Sequence, residues 1–270
     1  MSEARFLGID FSGAAAPWRP TCSRPTVWIA VLEGFRLVDL RPVQKLDPDS
    51  APFDSLVNLL RAGRFRAAGI DAPFSLPDPH FPRGGHAQLL AEVGAMAPAT
   101  DRPFPRGPDL IALAQRYAAQ ASAKPQRATE RQWSGANPRS TLWWKPRGGA
   151  PFAAACMTLL HRAERPVWPW KDAPGMLVEA FPAAQLRAWD LPHSNYADAD
   201  AKPVRARILA AIERRQQIDI DAADRKEMLR TPDALDAFIA TFAGRAAANR
   251  TLKLEKPPSW KTEGAIAVHA

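Results

Sequence analysis

The chain has 270 residues, 46% of them hydrophobic, with 36 Lys and Arg against 28 Asp and Glu, a net charge of +8 and an isoelectric point near 9.9. That length builds a sizeable core in one large domain, or one domain with a large insertion. Two cysteines, Cys22 and Cys156, supply neither a disulfide framework nor zinc-ligand spacing, and no apolar run approaches the roughly 20 residues of a membrane span. The first residues lead straight into a strand pattern, with no basic stretch followed by an apolar run, so no signal peptide is expected. The expected setting is a reducing cytoplasm with no membrane contact. The positive charge suits a polyanionic partner such as nucleic acid; an Arg- and Ala-rich composition bias accounts for the same number.

In chain order, Arg5–Asp10 (RFLGID) reads as a strand that ends on an acid and then turns through Ser12 and Gly13. Residues 15–25 hold Pro17, Pro20 and Pro25 and read as a loop. Two apolar runs, 26–32 and 35–40, flank Glu33-Gly34, which fits a tight hairpin turn. Together these are three antiparallel strands. Apolar residues at helical spacing over 52–63 predict a helix with Gly63 as its terminating glycine. Residues 65–70 then form a fourth strand, parallel to the first if the helix is a crossover. It ends on Asp71, as the first strand ended on Asp10, and Ala72-Pro73 stops it.

The stretch 75–174 reads as a large insertion after the fourth strand. It contains a short helix at 86–93, a helix at 109–123, a basic segment at 124–149 and a helix at 151–162. In the basic segment Arg127, Arg131, Arg139, Lys145 and Arg147 alternate with Trp133, Trp143 and Trp144, a mixture that suits single-stranded or flexible nucleic acid. Anchoring of a Pro-rich loop by Trp is the alternative. A fifth strand covers 176–181 and carries Glu179; Pro182 ends it, and a helix begins at 183–189. An amphipathic helix spans 202–218, 224–229 is short and polar, and a last helix starts at Pro232 and runs to about 248. The tail holds Pro257-Pro258 and an expected edge strand at 263–266. The five histidines show no metal-ligand spacing and are expected on the surface or in loops.

If the first, fourth and fifth strands lie side by side and parallel, Asp10, Asp71 and Glu179 share one sheet edge. Asp233 and Asp236, three residues apart, share a face of the last helix, with Leu235, Phe238, Ile239 and Phe242 as the packing side. Crowded carboxylates repel one another unless protonated or neutralised by cations, and all-oxygen ligands suit Mg²⁺ or Mn²⁺. Two such ions about 4 Å apart serve phosphodiester hydrolysis. In that scheme Asp10 bridges both ions, Asp71 and Glu179 complete one or both shells, and Asp236 holds the second ion with Asp233 as a substitute.

The segments GIDFSGA, GIDAP, VEAFPAA and the DALDA helix resemble domain-of-unknown-function family 429, whose members are predicted ribonuclease H-like nucleases. The resemblance spans nearly the whole chain. It rests on Asp10, on Ile70-Asp71-Ala72-Pro73, on Glu179 through Ala184 and on Asp236-Ala237. Arg127-Ala128-Thr129-Glu130 is similar to an Arg-x-Thr-Asp element of the family, with Glu130 in place of Asp. Glu263-Gly264 resembles its late Glu-Gly pair, with Ala265 in place of Trp. The DALDA helix also resembles the last acidic helix of bacterial Holliday-junction resolvases. The resemblance implies an α/β fold with a ribonuclease H-like mixed five-stranded sheet flanked by helices, and a metal-dependent nuclease acting on DNA or RNA. The other readings are a non-catalytic nucleic-acid-binding protein and an actin-like or sugar-kinase-like phosphotransferase. GIDFSG is similar to the first phosphate-binding hairpin of that superfamily, but no second Asp-x-Gly-Gly segment follows. A Ser-His-Asp hydrolase lacks its G-x-S-x-G element.

Overall fold

The computed structural model describes residues 4–119, 124–145, 148–253 and 259–270. The strands are β1 (Arg5–Asp10), β2 (Trp28–Glu33), β3 (Arg36–Pro42), β4 (Ala67–Asp71) and β5 (Met176–Glu179). The helices are α1 (Pro52–Ala62), α2 (Gly85–Gly94), α3 (Gly107–Gln115), α4 (Ala128–Gln132), α5 (Ala150–Ala163), α6 (Pro182–Ala188), α7 (Lys202–Gln216), α8 (Ala222–Arg230), α9 (Pro232–Asn249) and α10 (Trp260–Glu263).

The strands make one mixed sheet in the order β3-β2-β1-β4-β5. The opening hairpins are antiparallel, whereas β1 with β4 and β4 with β5 are parallel, as the crossover through α1 requires. Gly63 closes α1 with φ +64°.

Alternation along the strands divides the core in two. Leu7, Ile9, Ala68, Ile70 and Leu177 face one side and pack with α1 and α5. Phe6, Ala67, Met176 and Val178 face the other side and pack with α9 and its outer neighbours α6, α7 and α8. That second face is built for close approach. A Cβ on Gly8 would lie 2.0 Å from the Ala237 carbonyl oxygen, and one on Gly69 would lie 2.0 Å from that of Ala240. The sheet thus meets a small-residue stripe of α9, Ala237, Ala240, Thr241 and Gly244. The larger Phe238 and Phe242 pack on each other, and Phe242 meets Trp189 edge-on at 5.1 Å. Gly8 opposes Ala237 while Ala67 opposes Gly244, so α9 runs against β1 and β4. Its N-terminus therefore sits at their C-terminal ends.

Two glycines on this theme give opposite expectations. Gly8→Ala forces backbone against backbone and is expected to lower stability by about 3 kcal/mol. Gly244→Ala, whose Cβ would meet Ala67 at 3.3 Å, is expected to change stability by less than about 1 kcal/mol, since the helix propensity of Ala offsets the crowding. Urea midpoints of the two variants check this; equal midpoints would contradict the tight seat of α9.

Several features differ from the sequence reading. The long insertion between β4 and β5 is largely helical and has an apolar cluster of its own, with Leu89, Val93, Leu110 and Leu113 packing on Met157 of α5. The third helix ends at Gln115; the expected continuation through 120–123 lies outside the described residues, as do Arg147 and Pro257-Pro258. The polar stretch 222–230 is a full helix, capped by Asp221, whose carboxylate accepts from the Asp224 N–H. The expected edge strand at 263–266 does not form. Ala265 to Val268 are buried instead, with the Ala267 N–H donating to the Glu179 carbonyl at 2.9 Å. Two of the histidines expected on the surface or in loops are buried: His80, and His86, which stacks on Trp170 with ring centres 3.5 Å apart. Burial lowers the His86 pKa to about 4. Among the described residues no helix is long and apolar enough to cross a membrane.

Candidate metal centre

Parallel register places Asp10 directly opposite Asp71 at the ends of β1 and β4. Both lie in phase with Gly8 and Gly69, so both point to the face covered by α9. The first turns of α9 extend past the strand ends and bring Asp236 to them. Asp10, Asp71 and Asp236 each offer a carboxylate oxygen within 4.8 Å of the other two. Asp233, one turn earlier on α9, borders the same cavity of about 870 Å³.

The electrostatics follow from that crowding. Burial raises the Asp10 pKa well above the usual carboxylate range, and the charges of Asp236, Asp71 and Asp233 push it further. Burial and Asp71 do the same to Asp236. Burial lifts Asp71 to about 7, against the pull of the Arg139 guanidinium, and lifts Asp233 to about 6. The Tyr196 hydroxyl, buried in the cavity wall, donates to Asp236 Oδ1 at 2.8 Å and steadies that side chain.

Glu179 is placed differently. It pairs in register with Ile70, one residue short of Asp71, so alternation turns it to the opposite face of the sheet. There its carboxylate accepts from Arg127, Nη1 to Oε2 at 2.7 Å and Nη2 to Oε1 at 2.5 Å, and from the Phe74 N–H at 3.1 Å. Arg127 is 1% exposed and also donates from Nε to Glu130 at 2.9 Å. Burial works against the Arg127 charge, but Glu179 and Glu130 override it and hold its pKa above the ordinary value. Glu263 completes the knot, accepting from the Asp78 and Ala128 N–H groups at 2.8 and 2.6 Å. Thr129 Oγ1 accepts from the Ile266 N–H at 2.8 Å. The insertion, β5 and the C-terminal segment are thereby tied together, and Arg127, Glu130 and Glu179 border the cavity of the aspartates.

A family model described as a protein of unknown function, DUF429, matches residues 8–258. The chain belongs to this family. Comparison with the curated proteins and with the solved structures found no match. The structure divides the DUF429 residues noted in the sequence into two groups. Asp10, Asp71 and Asp236 gather in one cluster, while Arg127, Thr129, Glu130, Glu179 and Glu263 form a buried knot, of which Arg127, Glu130 and Glu179 border the same cavity. Sequence reasoning found the acids but not the partner of Glu179, since Arg127 and Glu179 are distant in the chain and meet through the fold. It also missed Tyr196, a residue in a loop without periodicity.

The wall facing the acids comes from the insertion: Lys124, Asn137, Arg139 and Trp143 line the same cavity. The Trp133 ring anchors this wall, buried beside Ala184 and Ile266.

Proposed function

We propose that this protein is a metal-dependent nuclease of ribonuclease H-like fold that hydrolyses phosphodiester bonds in nucleic acid. The observation that carries the reading is the meeting of Asp10, Asp71 and Asp236 within 4.8 Å on the wall of one cavity. The β3-β2-β1-β4-β5 order, with the acids at the ends of its parallel centre, supports the fold assignment.

The donor set fits Mg²⁺ or Mn²⁺. It is all oxygen and anionic, and burial together with the neighbouring carboxylates raises the pKa of Asp10 and of Asp236. Asp10, Asp71 and Asp236 would hold the metal, and Asp233, which borders the same cavity, would be the further acid for a second ion. When bound, the metal would supply Lewis-acid polarisation of a phosphoryl oxygen and a water more acidic than bulk water. The remaining work belongs to the chain. Tyr196 fixes the orientation of Asp236, α9 sets its distance from the strand ends, and the Arg127–Glu179 pair holds the insertion wall opposite. Those contacts keep the reacting groups aligned, which is most of what a phosphoryl-transfer site requires of its protein.

Assays on a panel of DNA and RNA with Mg²⁺ or Mn²⁺, beside Asp10→Asn protein, test the reading. Cleavage by the wild type that collapses in the variant is expected; cleavage retained in the variant, or none by the wild type on any substrate, would overturn it. Tyr196→Phe leaves all four aspartates in place but removes the hydrogen bond to Asp236. It is expected to weaken Mn²⁺ binding by about tenfold, the usual scale for a partner of a metal ligand. Calorimetry showing an unchanged affinity would remove Tyr196 from the site.

A further inference from the structure

We infer that the insertion wall is a binding track for single-stranded nucleic acid, with Arg139 contacting the phosphate next to the aspartates and Trp144 stacking on a base outside the cavity. The inference rests on the proposed function for the chemistry at the aspartates and adds the form of the substrate.

The first observation is the state of Arg139. Its guanidinium lies 5.2 Å from the centre of the Phe152 ring, and it has no hydrogen-bond or ion-pair partner among the described residues. The other arginine bordering the cavity, Arg127, has both neighbouring carboxylates to itself. Arg139 is exposed, lines the cavity, and its charge reaches Asp71. A planar cation with five unused donors, set beside acids that would hold metal, is suited to a phosphate oxygen.

The second is the rim. Lys124 and Lys145 place their ammonium groups 5.2 and 5.6 Å from the Trp143 ring centre. Trp144, the next residue, is 51% exposed, an unusual position for an indole in a chain that buries Trp18, Trp28, Trp133, Trp168 and Trp189. Cations beside exposed aromatic faces track a backbone while bases stack, without reading sequence.

The third is depth. Asp10 is only 8% exposed, and it lines a cavity of about 870 Å³. That volume is in the range that encloses a small organic ligand. A strand whose bases can splay apart reaches a recessed carboxylate in such a space; a duplex holds both backbones on the outside of a stacked cylinder and cannot enter.

The test uses full-length protein carrying Asp10→Asn, so that cleavage does not interfere with binding. Anisotropy of a labelled single-stranded oligonucleotide and of its blunt duplex is followed over a salt series, with Arg139→Ala, Arg139→Lys and Trp144→Ala added in turn. Single strand is expected to bind at least tenfold tighter than duplex. Arg139→Ala is expected to lower the log–log salt slope by about 0.7, the value for one phosphate contact on a single strand, and Arg139→Lys to restore it. Trp144→Ala is expected to weaken binding by about tenfold at an unchanged slope. Equal affinity for both forms, or affinities and slopes that none of these variants moves, would overturn the inference. A parallel cleavage assay on protein with Asp10 intact separates the two claims. Selective binding through Arg139 and Trp144 without cleavage would sink the nuclease and keep the track. Metal-dependent cleavage of single strand and duplex alike would sink the track and keep the nuclease.

Discussion

Asp71→Asn is expected to make the metal-free protein more stable at pH 8, by about 2 kcal/mol, and to abolish its stabilisation by Mn²⁺. The sign follows from proton linkage. Burial lifts the folded-state pKa of Asp71 to about 7, above the unfolded value near 3.8. Between those values the native state binds the proton and the unfolded chain does not, so this group's contribution is greatest below pH 3.8 and is lost as pH rises through 7. At pH 8 the carboxylate is charged although buried near Glu179, and replacing it with a neutral amide removes that burial cost and the charge that pushes up Asp10 and Asp236. At pH 5.5 the native carboxyl is mostly protonated already, so the gain from the substitution shrinks. Thermal midpoints in EDTA at the two pH values, then with Mn²⁺ at pH 8, read all three effects. A variant less stable than wild type at pH 8 would mean that Asp71 is not held charged at a cost in the folded protein.

The second large effect is at the buried knot. Arg127→Met is expected to cost about 3–5 kcal/mol, because it leaves Glu179 and Glu130 buried without their counter-charge. The comparison that isolates the cause is the double substitution Arg127→Met with Glu179→Gln, which removes one of the two stranded charges and should recover part of the loss. Urea unfolding of the single and double variants measures it. A loss below about 1 kcal/mol for Arg127→Met would show that the pair does not fasten the insertion to the sheet. Glu179 borders the same cavity as the aspartates but is paired with Arg127, which gives this residue a mechanical role: it holds the wall of the insertion beside Asp10, Asp71 and Asp236.

What the sequence reveals of this arrangement depends on how local the signal is. β1 and β4 are legible because apolar residues run unbroken to an acid and a turn, and α1 because its spacing and terminal glycine agree. The convergence of Asp10, Asp71 and Asp236 follows from element order together with parallel pairing. The face taken by Glu179 does not follow from order. It depends on whether β5 pairs with β4 in phase or one residue out, and a single step reverses the side chain. The helix 222–230 hides because its one buried residue, Met228, leaves almost no apolar stripe. His86 reads as the polar first residue of a short helix, yet Trp170, far along the chain, covers its ring. The role of Arg127 is invisible for the same reason: beside the nearby Glu130, its partners Ser75, Glu179 and the Glu263 carbonyl come from different parts of the chain. The glycines show the converse. Gly8 and Gly69 look like weak points in two strands until α9 is seen lying across them.

The central claim is that Asp10, Asp71 and Asp236 form a divalent-cation site, and calorimetric titration of Mn²⁺ into wild-type and Asp236→Asn protein at pH 7.5 tests it most directly. The account predicts saturable binding by the wild type and its loss in the variant, with the fold intact by thermal unfolding. No binding by the wild type, or equal binding by both proteins, would contradict it.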